Sequence, residues 1–116
     1  MLIMSLRIRV PSHAVPHIVG LFESYRGPVS VRAGCSSVNL YEHPSSTGDF
    51  ILLAEWNSEG ALEAHVRSDD FRKVLAIMDL ADEPPELKFN TVSSARGFEL
   101  VEEIRREQAS SEVGLE

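Results

Sequence analysis

The stretch Glu55–Phe71, EWNSEGALEAHVRSDDF, decides the fold, because it joins the end of one strand to the beginnings of two helices. It contains the only tryptophan of the chain, Trp56, and one of its four histidines, His65. Asn57 or Ser58 is a typical N-cap for the first helix, since short polar side chains accept hydrogen bonds from free backbone N–H groups there. The stretch therefore predicts a strand followed by two short helices.

The second helix of this stretch begins after Ser68, which has the side chain of an N-cap. Beyond it, apolar residues recur at helical spacing and predict one buried stripe. That stripe consists of Phe71, Val74, Leu75 and Met78. The two prolines of Asp82–Pro85 end the helix.

Upstream, Ser5–Val10 alternates apolar and charged residues, which predicts a strand with one apolar face. Ser12 is a plausible N-cap for a helix that begins between residues 12 and 15. The sequence of Arg26, Gly27 and Pro28 predicts the end of this helix, since glycine and proline commonly follow a last helical turn.

A hairpin is predicted from the Val- and Ser-rich stretch Val29–Glu42 and the apolar stretch Phe50–Trp56, which flank the polar turn His43–Asp49. Gly34 interrupts the first strand and indicates a bulge or a close backbone approach. The second strand is apolar on both faces apart from Glu55, so neither face suits water.

The C-terminal part contains a last strand, Leu87–Ser93. Residues 96–107 predict a helix with Phe98, Val101 and Ile104 facing inward, although Phe98 and the next two residues could also prolong the sheet. We expect one domain over residues 1–107 and a frayed polar tail over residues 108–116.

The order strand, helix, strand, strand, helix pair, strand predicts an α+β fold of the ferredoxin-like split βαβ type, with an antiparallel sheet. Right-handed crossovers place the helices on one face of that sheet. The other face then exposes apolar side chains, and such patches usually mark interfaces. We therefore expect a homodimer in which two sheets pack face to face.

The second sheet face should carry Arg7 and Arg9, because the alternating Leu6, Ile8 and Val10 meet the helices. Glu55 should share this face, since burying an unpaired carboxylate under a helix costs several kcal/mol. Ile51 and Leu53 complete it. Apolar walls with a few polar groups are typical of a small-ligand pocket.

Composition excludes several classes of function. Eighteen acidic against eleven basic residues give a net charge of −7, which disfavours nucleic acid as a partner. No apolar run approaches the roughly 20 residues of a membrane span, and residues 1–4 are too short for a signal peptide. Cys35 is the only cysteine, which suits a cytoplasmic protein without a disulfide.

The residues of this central stretch also resemble a family motif. Glu55-Trp56, Ser58, Ala61-Leu62, His65, Ser68 and Phe71 are similar to the motif of the antibiotic biosynthesis monooxygenase (ABM) domain family. The resemblance extends in element order over roughly residues 3 to 94. Much of the motif consists of helix caps and packing residues, so it speaks first for the fold.

The resemblance implies a dimeric α+β barrel, and an oxygenase that uses neither metal nor flavin to oxidise a quinol or another small aromatic. The haem-degrading relatives have a tryptophan at the position resembling His65 and a histidine at the position resembling Leu75, so haem degradation is disfavoured. The polyketide-oxidising relatives use tyrosine, asparagine, tryptophan and arginine around their pocket. Residues of the same types here are Asn39, Tyr41, Trp56 and Arg9.

Four candidate residues each have a structural alternative. His65 is the candidate acid–base group, because histidine titrates near neutral pH; the structural alternative is a half-buried helix residue that hydrogen-bonds to the backbone or to Glu55. Trp56 could stack on an aromatic ligand or simply fill the core. Arg7 and Arg9 could stabilise a substrate anion, or form ion pairs with Glu55 or with a partner chain.

The candidate substrate-binding residues are Trp56, Glu55, Asn39, Tyr41 and Leu53. His13 and His17 are four residues apart on a helix, but two histidines without a third ligand do not predict a metal site. The resulting hypothesis is a cofactor-independent monooxygenase, in which His65 deprotonates the substrate and the substrate anion reduces O₂. The alternative is a non-catalytic dimeric domain that binds a small ligand or a partner.

Overall fold

The chain folds into one four-stranded antiparallel sheet with helices packed on one of its faces. The computed structural model describes residues 1–114, with side chains described through Ala109. The elements are β1 Leu2–Arg9, α1 Val15–Ser30, β2 Cys35–Glu42, β3 Asp49–Trp56, α2 Glu59–Val66, α3 Phe71–Met78, β4 Glu86–Thr91 and α4 Phe98–Gly114. The strand order is β2-β3-β1-β4, which confirms the predicted α+β ferredoxin-like fold.

The strand alternation divides the sheet into a buried and an open face. On β1, the buried residues Met4, Leu6 and Ile8 alternate with exposed Arg7 and Arg9. On β3, all four even-numbered side chains from Phe50 to Trp56 are buried, as predicted. Because strand side chains alternate between faces, these residues form the core under α1, α2 and α3.

α1 does not end where the sequence predicted. Gly27 and Pro28 lie inside it, and the helix continues to Ser30. Val29, predicted to begin β2, is instead a fully buried residue of the last helical turn. Pro28 cannot donate a hydrogen bond to the carbonyl of Ser24, which lies four residues before it. The Lys73 ammonium on α3 donates to that carbonyl at 2.8 Å, which compensates for the missing donor.

β2 therefore begins later than predicted, at Cys35, after a turn that contains Gly34. Gly34 has a φ of +87°, a conformation that favours glycine. Its carbonyl accepts a hydrogen bond from the backbone of Asn57, and a Cβ at this position would lie 2.4 Å from the Cβ of Ala61. The predicted bulge is present as a register shift between Cys35 and Ser37.

The two helices after β3 differ in how they begin. Ser58 caps α2, since its hydroxyl accepts a hydrogen bond from the backbone N–H of Ala61. Ser68 does not cap α3, contrary to the prediction, because its hydroxyl donates to the carbonyl of His65 at 2.6 Å. The buried stripe of α3 also differs: it contains Ile77, whereas the predicted Leu75 is 48% exposed.

The C-terminal residues 98–114 form a helix rather than an extension of the sheet. The predicted inward residues Phe98, Val101 and Ile104 are all exposed, because α4 does not fold back onto the core of this chain. α4 also includes residues 108–114, which were predicted to be frayed. Residues 115–116 of that predicted tail lie outside the described residues.

Candidate functional site

A cluster of buried aromatic rings surrounds His65 on the helix side of the sheet. The His65 imidazole stacks on the indole of Trp56, with ring centroids 4.6 Å apart and planes inclined by 23°. The ring of Phe71 meets it edge-on at 5.5 Å. His65 and Trp56 are completely buried. The last turn of α2, the end of β3 and the start of α3 thus meet at one imidazole.

Tyr25 of α1 completes this cluster. Its hydroxyl oxygen lies 2.8 Å from Nε2 of His65, and Tyr25 is itself fully buried. In a neutral imidazole one nitrogen carries a proton and the other accepts, so this pair is compatible with either tautomer. The hydrogen bond fixes the orientation of the ring and leaves Nδ1 as its second polar atom.

Burial makes the neutral form of His65 dominant. Desolvation, reinforced by the nearby Arg32 guanidinium, lowers the pKa of His65 from 6.5 to about 4, while Asp70 acts in the opposite direction. Desolvation likewise raises the pKa of Tyr25, and the neighbouring Cys35 and Asp70 contribute to that rise. At neutral pH the cluster therefore contains an uncharged imidazole and an uncharged phenol.

Charged and titratable groups lie at the edge of this cluster. The Arg32 guanidinium lies 3.6 Å from the carboxylate of Asp70, and both side chains are partly exposed. Burial also raises the pKa of the Cys35 thiol at the start of β2. Arg32 is thus the arginine whose charge acts on His65.

Three buried nitrogen atoms have no hydrogen-bond partner among the described residues: Nδ1 of His65, Nε1 of Trp56 and Nε of Arg32. Buried polar atoms without partners are uncommon, and each calls for an explanation such as a ligand-binding role. The indole and guanidinium nitrogens are donors only, so both suit an oxygen acceptor.

A surface cavity of about 460 Å³ adjoins Arg32. Its wall is formed by the segment Arg32–Gly34, by the polar residues Asn57 and Ser58, and by the small residues Ala61 and Ala64 of α2. Ala64 directly precedes His65. Arg32, whose charge acts on His65, also forms part of this wall.

The other predicted site residues lie on the open face of the sheet. The antiparallel register places Arg7 beside Ile51 and Tyr41, and Leu53 beside Asn39. Glu55 lies one pair further along β3, opposite Ser37. This face has two shallow cavities of about 260 and 160 Å³, which share Arg7 and Asp49. Arg9 lines the larger of the two.

The sheet thus divides the predicted site in two. His65 and Trp56 lie beneath the helices, whereas the remaining six residues lie on the opposite face: Arg7, Arg9, Glu55, Asn39, Tyr41 and Leu53. A small ligand cannot contact both faces of a sheet, so the hypothesis in which His65 deprotonates a substrate whose anion Arg7 and Arg9 stabilise does not fit one bound molecule. The suggested contact between His65 and Glu55 is also excluded, and Tyr25 takes that place.

Sequence reasoning missed Tyr25, Arg32 and Asp70. Tyr25 could have been recognised, because it continues the buried stripe Ile18–Phe22 of α1 at helical spacing. No local pattern indicates Arg32 or Asp70, which come together only because the turn after α1 and the start of α3 meet in the folded chain.

Neither a metal cluster nor a membrane-spanning helix is present in the part of the chain that is described. Residues 1–109 contain no group of three or more His, Cys, Asp or Glu side chains suited to a metal ion. His13 and His17 are both exposed near the start of α1. Among the described helices, none is long and apolar enough to cross a membrane.

The chain resembles known proteins both in sequence and in structure. Residues 1–76 match the family described as antibiotic biosynthesis monooxygenase. Among curated proteins, none matches the chain in sequence.

Similar solved structures share the fold at low identity. A crystal structure of an antibiotic biosynthesis monooxygenase is 18% identical, with a TM-score of 0.71 over 81% of this chain and 100% of the other. A conserved Methanosarcina mazei protein is 23% identical, with a TM-score of 0.69 over 78% of this chain and 91% of its own. Rv0793 from Mycobacterium tuberculosis is 20% identical, with a TM-score of 0.73 over 83% and 98% of the respective chains.

Proposed function

Because this chain belongs to the antibiotic biosynthesis monooxygenase family, we propose that it is a cofactor-independent monooxygenase of small, electron-rich aromatic molecules such as quinols. The observation that carries the proposal is His65, a neutral imidazole held between aromatic rings and hydrogen-bonded to a phenol. Because His65 already hydrogen-bonds to the phenolic hydroxyl of Tyr25, the same imidazole could accept a hydrogen bond from the phenolic hydroxyl of a substrate.

The proposed base is Nδ1 of His65. In the tautomer whose Nε2–H donates to the Tyr25 oxygen, Nδ1 keeps its lone pair and has no partner among the described residues. The pKa of about 4 leaves this lone pair free at neutral pH. A phenolate formed beside the ring would raise the pKa of His65, because opposite charges stabilise each other.

Arg32 is the proposed stabiliser of the substrate anion, in place of Arg7 and Arg9. It lies on the His65 side of the sheet, and its Nε is buried without a partner among the described residues. Fixed donors directed at a developing anion are often the largest catalytic contribution. Arg7 and Arg9 remain proposed ligand contacts of the open face only, together with Glu55, Asn39, Tyr41 and Leu53.

The reaction balances without a cofactor. The deprotonated substrate gives one electron to O₂, which yields a substrate radical and superoxide. These combine at a ring carbon that bears hydrogen, and protonation gives a hydroperoxide. Loss of water from the hydroperoxide leaves a carbonyl on the ring, so one oxygen atom enters the product and the other leaves as water.

Access to His65 requires movement, because its side chain is fully buried. The cavity beside Arg32 offers the entry, with Ala61 and Ala64 as the small residues of α2 that face it. We propose that the segment Arg32–Gly34 and α2 separate when substrate binds. Trp56 and Phe71 would then enclose the aromatic ring of the substrate.

The proposed assembly is a homodimer through the open sheet face. Ile51 is 40% exposed and Tyr41 is 55% exposed there, beside half-buried Leu53. Exposed apolar side chains gathered on one face usually mark an interface. A cytoplasmic location and the absence of nucleic-acid partners remain predictions from the single cysteine and the net charge of −7.

Oxygen uptake tests the enzyme proposal. Metal-free protein is incubated with a panel of hydroquinones while dissolved O₂ is followed. We expect uptake above autoxidation, reduced at least about 100-fold in His65→Gln, since a general base typically contributes that much. The matched control His17→Gln should stay within about twofold of the unchanged protein, because His17 is an exposed histidine of α1 outside the cluster. Uptake at the autoxidation rate, or equal rates with and without His65, would contradict the proposal.

The second candidate is a non-catalytic dimeric domain that binds a small ligand or a partner. It is favoured by the complete burial of His65, since a closed core histidine needs no substrate. The same assay separates the two candidates. Quinol binding by calorimetry without oxygen uptake would favour the binding domain.

A further inference from the structure

α4 carries an apolar stripe that its own chain leaves exposed. Phe98 is 71% exposed, Val101 45% and Ile104 52%, and their spacing places them on one side of the helix. The helix lies wholly outside residues 1–76, the part matched by the family. It also lengthens the molecule, whose extents are 61 × 35 × 22 Å.

The same chain has an apolar groove without an occupant among the described residues. This groove, about 280 Å³ in volume, runs between α2 and the edge strand β4. Its floor is formed by Leu62, Val66 and Phe89, of which Val66 is 40% and Phe89 46% exposed. Glu63 and Arg67 of α2 form its rim.

We propose that α4 of one copy of this chain lies in the α2–β4 groove of a second copy, and that the exchange is reciprocal. The stripe suits the groove in chemistry. Its exposed apolar side chains would pack against the apolar floor formed by Leu62, Val66 and Phe89. A reciprocal contact between two identical chains closes after two copies, as in most soluble homodimers.

Charge order sets the direction of the docked helix. Along α2 the rim runs from Glu63 to Arg67, and these side chains form only a long, exposed ion pair of 3.9 Å. On α4, Glu102 lies at one edge of the stripe, and Arg105 follows it on the same surface, one turn after Val101. Packing α4 antiparallel to α2 places Glu102 opposite Arg67 and Arg105 opposite Glu63, whereas parallel packing would place like charges together.

The α4 contact is independent of the proposed oxygenase activity, since neither partner surface contains a residue of the His65 cluster. In the proposed sheet-face dimer, the α4 contact would be a second contact between the same two chains. β4 connects the two contacts, because Phe89 faces the groove while its neighbour Lys88 faces the open side. Loss of oxygenase activity would therefore leave the α4 prediction unchanged.

Disulfide crosslinking tests the contact. In a Cys35→Ser background, one chain carries Val66→Cys and a co-expressed, differently tagged chain carries Val101→Cys. Mild oxidation should produce a disulfide-linked pair containing both tags. A control with Arg106→Cys in place of Val101→Cys, on the far side of α4, should crosslink several-fold less.

Three outcomes would overturn the proposal. Efficient crosslinking of the Val101→Cys chain to itself would show that α4 pairs with α4 instead of with the groove. Closure of a disulfide within one chain that carries both substitutions, with no mixed pair in the co-expression, would show that α4 occupies its own groove. Absence of any crosslink in both arrangements would equally contradict it.

Charge reversal provides a test that does not rely on cysteine. Arg67→Glu and Glu102→Arg should each raise the dimer dissociation constant about threefold, because each places like charges together. The double variant should return to within about twofold of the unchanged protein, since the pair is restored in the opposite sense. Additive weakening in the double variant would contradict the antiparallel contact.

Discussion

At the scale of single residues, His65 stands out because, apart from the hydroxyl of Tyr25 and the indole nitrogen of Trp56, it carries the only polar side-chain atoms among the buried residues of the described chain. It is completely buried, yet only one of its two ring nitrogens has a hydrogen-bond partner in that part of the chain. An apolar residue of similar size would fill the space without burying a polar atom. The buried Tyr25 hydroxyl needs a partner, and Nε2 of His65 supplies it, so Nδ1 is the ring atom that neither packing nor this hydrogen bond explains.

Burial of His65 predicts how stability depends on pH. The folded pKa, about 4, lies below the usual 6.5, so the unfolded chain takes up the proton first as pH falls. The contribution of His65 to stability should be constant above about pH 6.5 and should fall by up to roughly 3 kcal/mol as pH decreases to about 4. Urea unfolding at pH 7.5, 6 and 5 measures this slope.

The control for this slope is His65→Gln, which removes the titrating group. Its stability should vary less between pH 6.5 and 5 than that of the unchanged protein, whatever its absolute value. His17→Gln, at an exposed histidine of α1, should keep the full slope. A slope that survives in His65→Gln would assign it to other groups.

Replacing glycine by alanine should change the stability of the protein in opposite directions at two positions. Gly34→Ala should destabilise the protein by more than about 2 kcal/mol, because φ is +87° and the new Cβ would collide with Ala61. Gly20→Ala should stabilise it by roughly 0.5 to 1 kcal/mol, since Gly20 is helical with free space around it and no proline follows it. Thermal unfolding compares the two. Equal changes in stability for the two variants would contradict the conclusion that the positive φ of Gly34 requires glycine.

At the scale of elements, α1 shows how a tertiary contact overrides a local signal. Glycine followed by proline usually ends a helix, yet α1 continues to Ser30. Buried Val29 anchors the last turn, and Lys73 donates to the carbonyl that Pro28 leaves free. The contact also ties α1 to α3, the two helices that contribute Tyr25 and Phe71 to the His65 cluster.

This arrangement predicts coupling between two positions. Lys73→Met should cost about 1 kcal/mol of stability, because the Ser24 carbonyl loses its donor. In a Pro28→Ala background the same change should cost less than half as much, since the introduced alanine supplies its own N–H to that carbonyl. A double-mutant cycle by urea unfolding measures the difference. Equal costs in both backgrounds would mean that Lys73 does not compensate for Pro28.

The elements that could be predicted from the sequence are those with a clear local period. The alternation of β1 correctly predicted that Leu6 and Ile8 are buried, and the charge of Glu55 correctly predicted which of the two apolar faces of β3 is open. Ser68 and Pro28 could not be interpreted locally, because each depends on a partner that the fold supplies. For residues 97–107 the sequence left a helix and an extension of the sheet open, and the exposure of the α4 stripe could not be foreseen from a pattern that indicates only amphipathicity.

At the scale of the whole molecule, the sheet separates two surfaces that sequence reasoning had joined. Strand alternation correctly placed Arg7 and Glu55 on the open face, but it carries no information on which face holds a helix residue such as His65. Tyr25, from α1, joins that residue only through the packing of α1 against the sheet. The positions of the strand residues of the candidate site can therefore be predicted from the alternation of strand side chains. The positions of His65 and Tyr25 require the tertiary fold.

A charge introduced on the open face of the sheet should weaken the proposed homodimer. Ile51→Asp should shift the protein from a dimer toward the 12.9 kDa monomer, since it places a carboxylate in the apolar centre of the proposed interface. Val19→Asp is the matched control, because Val19 is equally exposed, at 41% against 40%, but lies on α1. Light scattering at micromolar concentration distinguishes them. A monomer already present before substitution would contradict the sheet-face dimer.

The stacking of Trp56 on His65 has an optical consequence. Because the chain contains one tryptophan, its intrinsic fluorescence comes from a single indole in contact with the proposed base. A protonated imidazole quenches indole emission far more than a neutral one, so emission intensity should follow the charge on His65. The protein therefore carries its own spectroscopic reporter of this cluster, at which the arrival of an aromatic molecule could be watched without any label.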